Sequence, residues 1–109
     1  MKRGEVVVAA APGDFGRPRP ALIVQWNLFN PTHASVAICP ITSYLVDAPL
    51  FRLTLQPAPA NGLKVESQIM IDKLMAVKRE RIGKRIGKLE PTHMAQVDEA
   101  LRTWLELGD

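Results

Sequence analysis

Guanidinium groups and hydroxyls are the side chains of this sequence whose types and places best suit chemistry. Arg17 and Arg19 stand just before an apolar run over residues 21–26, and Thr42-Ser43 close another over residues 34–42. In an antiparallel meander the start of one strand and the end of the next share an edge of the sheet, so the two groups can meet. A guanidinium fork binds two oxygens and a hydroxyl donates one further hydrogen bond, a set that suits a phosphate. The same Thr-Ser pair also suits a plain turn, with its hydroxyls bonded to nearby backbone, and the residues themselves leave both readings open.

Other chemistries fail on inventory. Two histidines and one cysteine, widely separated, make no zinc pattern, and no Gly-x-x-x-x-Gly-Lys loop occurs, so neither metal nor nucleotide cofactor is expected. His33 and His93 would make an acid–base pair only if the fold joined them. One lies in a proline-containing loop and the other in the first turn of a helix, on its polar side, which marks both as surface residues. Cys39, between Ile38 and Pro40, is expected as a buried small hydrophobe.

The net charge of +3 is unevenly spread. Residues 73–88 carry seven bases (Lys73, Lys78, Arg79, Arg81, Lys84, Arg85, Lys88) against Glu80, while residues 89–109 carry five acids against Arg102. Such a basic segment fits either a polyanionic ligand, whose condensed counterions Lys and Arg displace, or a solvated connection.

The elements that must hold these groups are short. Residues 5–11 form a β-branched run stopped by Pro12-Gly13, and residues 12–18 hold two glycines and two prolines, a loop. Runs over 21–26, 34–42 and 51–56 read as strands, the last with Phe51, Leu53 and Leu55 on one face and Arg52, Thr54 and Gln56 on a wet one. Residues 67–77 read as a fifth strand. After Gly87 the period becomes helical: Met94, Val97, Leu101, Trp104 and Leu105 form an apolar stripe, with Pro91 in the first turn and Gly108 as the stop. Trp104 is expected in the core, and Trp26 at a dimer interface. Five or six strands and one helix predict a mainly β fold with some α, a small antiparallel barrel-like sheet with a C-terminal helix packed on it. A chain of 109 residues with 47% apolar and 23% charged side chains suits a single domain over residues 1–109. No apolar run approaches a membrane span, which makes the cytoplasm the expected compartment.

Five segments in order, Gly4-Glu5-Val6, the Arg19–Val24 run, Pro40-Ile41-Thr42-Ser43, Ser67 through Lys73 and Val77 through Gly83, resemble the MazF/PemK family of toxins from type II toxin-antitoxin systems. The resemblance implies an SH3-like barrel of the CcdB/MazF type. It implies a homodimeric endoribonuclease that cuts single-stranded RNA without metal, leaving 2′,3′-cyclic phosphate and 5′-hydroxyl ends, and that a cognate acidic antitoxin inhibits. Arg19 falls on the family's catalytic arginine and Thr42 on its catalytic hydroxyl residue, with Ser43 beside it. Arg17, Lys73, Lys78, Arg79 and Arg81 become candidate RNA contacts, and Phe15 a candidate for stacking on a base. Relatives on the same fold that bind DNA gyrase without catalysis, and an inactive antitoxin-binding module, are the alternatives.

Overall fold

The computed structural model describes residues 1–10 and 17–108. The expected loop over residues 12–18 therefore lies partly outside the described residues, and Phe15 wholly so. Seven strands precede one helix: β1 (Glu5–Ala9), β2 (Arg19–Ile23), β3 (Ser35–Thr42), β4 (Arg52–Leu55), β5 (Ser67–Met70), β6 (Met75–Lys78), β7 (Ile82–Lys88) and α1 (Pro91–Leu105). All pairings are antiparallel, in the order β4-β5-β3-β2-β1-β7, with β6 also on β3.

The fold class follows the sequence, with two corrections to its details. The run over 67–77 is two strands, because a 3₁₀ turn at Ile71–Lys73 separates β5 from β6, closed by the Leu74 N–H donating to the Ile71 carbonyl at 3.1 Å. That break lets one edge of β3 serve two partners in succession. Ser35–Ile38 pairs with β6, and Ile41 and Thr42 pair with β5. The sheet therefore forks at β3 and does not close into a complete barrel.

Both faces of the central strands are covered, which is why they read as nearly unbroken apolar runs. Val6, Leu22, Cys39 and Ile41 pack with Leu55, Ile69, Ile71 and with Val97 and Ala100 of α1. Val7, Ala9, Ala21, Ile23, Val36, Ile38 and Val77 fill the opposite face. Each such side chain removed from water contributes about 1.5–3 kcal/mol. Arg3 ties the helix down: its Nε donates to the Val24 carbonyl at 2.8 Å and its Nη2 to Asp98 Oδ1 at 2.6 Å.

The helix departs from expectation at its end. Trp104 is 47% exposed and leans on Phe51, just before β4, with ring centroids 5.4 Å apart. The stop comes at Glu106, not Gly108: Glu106 is left-handed (φ 55°), and the Leu107 N–H reaches the Arg102 carbonyl at 2.8 Å.

Two glycines let the loop after β4 cross β7 in direct backbone contact. The Lys88 N–H donates to the Ala60 carbonyl at 2.8 Å. Gly62 has φ +71°, and a Cβ on Gly87 would lie 2.3 Å from the carbonyl carbon of Asn61. No rotamer change relieves a clash with backbone. Gly87→Ala is expected to destabilise the fold by about 3 kcal/mol, the upper range for overpacking. Chemical denaturation checks it, and an unmoved midpoint contradicts it.

Candidate active site at the β2–β3 edge

The β2–β3 ladder pairs Ala21 with Pro40, Leu22 with Cys39 and Ile23 with Ile38. Extended two residues past its last ladder pair, that register would set Arg19 opposite Thr42. Period-two alternation puts both on the face that carries Ala21, Ile23 and Ile38. Side chains directly opposed in this way start about 5 Å apart at Cβ. Arg19 is exposed and Thr42 half-buried, and Ser43 next to it is exposed. The backbone of each is fixed from its far side, Arg19 by Ala9 of β1 and Thr42 by Gln68 of β5.

Thr42 Oγ1 accepts the Tyr44 N–H at 3.0 Å, so the turn reading of this hydroxyl is realised. That bond uses a lone pair of the oxygen and leaves its own proton to donate, so the turn and a phosphate contact are compatible. Gln68, opposite Thr42, is buried and clamps the segment beyond. Its Oε1 accepts the Val46 N–H at 3.0 Å, and its Nε2 donates to the Val46 carbonyl at 2.8 Å and to Thr54 Oγ1 at 3.1 Å.

Arg52, expected on the wet face of β4, instead grips Asp72 with two bonds, Nε to Oδ1 at 2.7 Å and Nη2 to Oδ2 at 3.1 Å. Both side chains are largely covered, at 12% and 13% exposure. The pair holds the 3₁₀ turn that splits β5 from β6, and the exposed Lys73 ends that turn. The Arg52 guanidinium bonded to Asp72 keeps this carboxyl below the ordinary aspartate value, and Asp72 raises Arg52 in return. Their spacing of 20 residues hid the pair from sequence patterns.

The candidate basic residues divide into two groups. Ala9 is flanked by Arg19 on one side and Ile82 on the other, and the Ala10 N–H donates to the Arg81 carbonyl at 3.1 Å. Arg81 and Arg17, both exposed, thus lie at the Arg19 end, Arg81 roughly 10 Å away across two strand spacings. Lys78 pairs with Ser35, at the other end of β3. That is seven residues before Thr42 along the strand. Arg79 turns its guanidinium onto the Asn30 carbonyl, with Nη1 at 2.6 Å and Nη2 on the same oxygen. Its fork is thereby engaged in holding the loop between β2 and β3, whose Asn30 is buried and bonded to Gln25 and Asn27.

The remaining reactive side chains stay apart. His33 bonds to Ser35 within its own loop, while His93 lines a groove with Thr54, Asn61 and Lys88. Cys39 is fully buried, and that burial pushes its thiol up to about 12 against the pull of Arg3. Trp26 is 63% exposed and meets Phe29 edge-on at 5.7 Å. Among the described residues no three His, Cys, Asp or Glu side chains converge as metal ligands.

The fold defines the class, a small antiparallel β protein with a C-terminal helix. Residues 2–105 match the family described as the PemK-like, MazF-like toxin of type II toxin-antitoxin systems, and the chain belongs to that family. It is 44% identical over 109 residues to the "Probable endoribonuclease MazF" of Mycolicibacterium smegmatis, covering 99% of each chain. It is 28% identical to "Endoribonuclease MazF9" of Mycobacterium tuberculosis, covering 98% of each. In three dimensions it matches "Mycobacterium tuberculosis toxin MazF-mt6" with a TM-score of 0.83 at 21% identity, over 96% of this chain and 99% of that one.

The Arg52–Asp72 pair sets a pH dependence. A carboxyl whose folded value is depressed stabilises the fold above its unfolded value, about 3.9, and loses that contribution as pH falls through the folded value. Asp72→Asn is expected to lower stability at neutral pH by about 2 kcal/mol, in the range for hydrogen bonds to charged groups, and to flatten the acid limb below about pH 4. Denaturation midpoints across the acid range up to neutral pH check both, and a variant with wild-type slope contradicts the assignment.

Proposed function

We propose that the chain is an endoribonuclease toxin that cleaves single-stranded RNA by transesterification, with Arg19 and Thr42 on the scissile phosphate. The observation that supports the reading is the β2–β3 register, which, extended two residues past Ala21 and Pro40, would set a guanidinium opposite a hydroxyl at an exposed strand end. In the proposed step the 2′-oxygen loses its proton and attacks the adjacent phosphorus. The bond from phosphorus to the 5′-oxygen breaks and that oxygen gains a proton, leaving a 2′,3′-cyclic phosphate and a 5′-hydroxyl. A guanidinium holds its proton throughout the physiological range, so Arg19 acts as a charge stabiliser and not as a base. Its fork meets the charge gathering on the non-bridging oxygens, while Thr42, with Ser43 beside it, orients the phosphate. None of these roles calls on a metal ion.

Arg17, Arg81 and Lys73 are placed in this reading on the phosphates next to the cut, and Lys78 on a more distant one. Arg79 contributes by fixing the β2–β3 loop. A homodimer, with the exposed Trp26 at its contact, and an acidic antitoxin peptide laid over the basic groove complete the assembly. One solved structural neighbour, "Endoribonuclease in complex with its cognate antitoxin from Mycobacterial species", supports the second partner. No helix among the described residues is long and apolar enough to cross a membrane, in keeping with a cytoplasmic place of action.

Purified protein incubated with a long single-stranded RNA in EDTA is expected to cut it and leave cyclic phosphate ends. Arg19→Ala and Thr42→Val are each expected to lower the rate by about 10²- to 10³-fold, the loss typical of one preorganised donor, with unchanged unfolding transitions. Full cleavage by folded Arg19→Ala rejects the role. Intact RNA together with blocked gyrase supercoiling rejects the ribonuclease reading.

A further inference from the structure

The geometry assigns to Tyr44 a part in holding the substrate: its ring stacks on the base of a nucleotide adjoining the scissile phosphate. This rests on the ribonuclease reading above and adds to its phosphate contacts one that a base would make.

Tyr44 is 76% exposed, the largest exposure among the large apolar side chains of the described residues. Its backbone is nonetheless fixed from both sides. Its own N–H is spent on Thr42 Oγ1 at 3.0 Å, and two residues on, the Gln68 carboxamide holds Val46 by both N–H and carbonyl. A tight turn anchored at each end thus displays an uncovered aromatic ring beside the hydroxyl assigned to the phosphate. Such a ring loses little freedom when a base lies on it.

Charge favours the same arrangement. Arg17, Arg19 and Arg81 lie on the β1–β2–β7 side of the edge and Lys73 ends the turn after β5, whereas the turn after β3 holds Tyr44, the half-exposed Leu45 and the acidic, exposed Asp47. A phosphate chain is drawn to the first side and repelled from the second. The base, neutral and flat, is what remains to occupy the turn. Stacking tolerates every base, so this contact supplies affinity near the cut more than discrimination among sequences.

The test uses the intact chain and RNA oligonucleotides spanning a mapped cleavage site. Tyr44→Ala is expected to lower kcat/KM by about 5- to 150-fold, the range for loss of one stacked base, and chiefly through KM. Tyr44→Phe, which keeps the ring, recovers most of that loss. An abasic nucleotide beside the cut costs the wild type the same factor and costs Tyr44→Ala nothing more. With an uncleavable oligonucleotide, 2′-deoxy at the attacking position, the ring protons of this chain's single tyrosine shift upfield. Because the side chain is exposed, the Ala variant keeps its melting temperature. Tyr44→Ala cleaving as fast as a cleaving wild type refutes this inference alone, and loss of antitoxin binding in that variant assigns the ring to a protein contact instead. A wild type that leaves RNA intact overturns this inference together with the ribonuclease reading.

Discussion

Everything at the candidate edge depends on how β3 is shared. Its one side runs against β2 in a fixed register, and its other side is handed from β6 to β5 partway along. A slip of one residue would send every side chain of β3 to the opposite face. The register is held against that slip by packing on both faces, since Ile38 and Cys39 sit in different apolar clusters and both would be misplaced. Core packing further along the same two strands thus fixes the register that, extended to the strand ends, would bring Thr42 opposite Arg19.

Polar clamps extend this rigidity where apolar packing ends. Gln68 fixes the turn after β3, Arg52 and Asp72 fix the turn between β5 and β6, and Arg79 with Asn30 fixes the loop between β2 and β3. No buried side-chain nitrogen or oxygen among the described residues lacks a partner. A protein of this size has a small core, and saturated hydrogen-bonding networks let short connections hold one conformation without more apolar mass. The resulting edge is preorganised, which is the property that electrostatic stabilisation of a phosphorane requires.

Part of this was legible in the sequence because it rested on local signals. Alternation in residues 51–56, proline and glycine punctuation and the helical stripe after Gly87 located β1 to β4 and α1 within a few residues, while β7 (Ile82–Lys88), a basic run with two glycines, carried no such signal. What else stayed hidden was non-local. The partnership of Arg52 with Asp72 breaks a strand that the period of Ile69 and Ile71 continues, and no local window of sequence contains both ends of it. Trp104 follows the stripe faithfully yet is only half covered, because periodicity shows which side faces the sheet and not where the sheet ends. Arg79 looked like its neighbours in a basic run, and only the fold turns its fork inward.

Arg19 and Thr42 gripping one phosphate is the arrangement on which the catalytic reading stands. A crystal structure of the chain with an oligonucleotide carrying a 2′-deoxy nucleotide at the attacking position tests it most directly. The scissile phosphate is expected to lie with oxygens about 3 Å from both the Arg19 guanidinium and Thr42 Oγ1. A scissile phosphate seated at the Lys78 end of β3, with Arg19 and Thr42 both away from it, contradicts that arrangement.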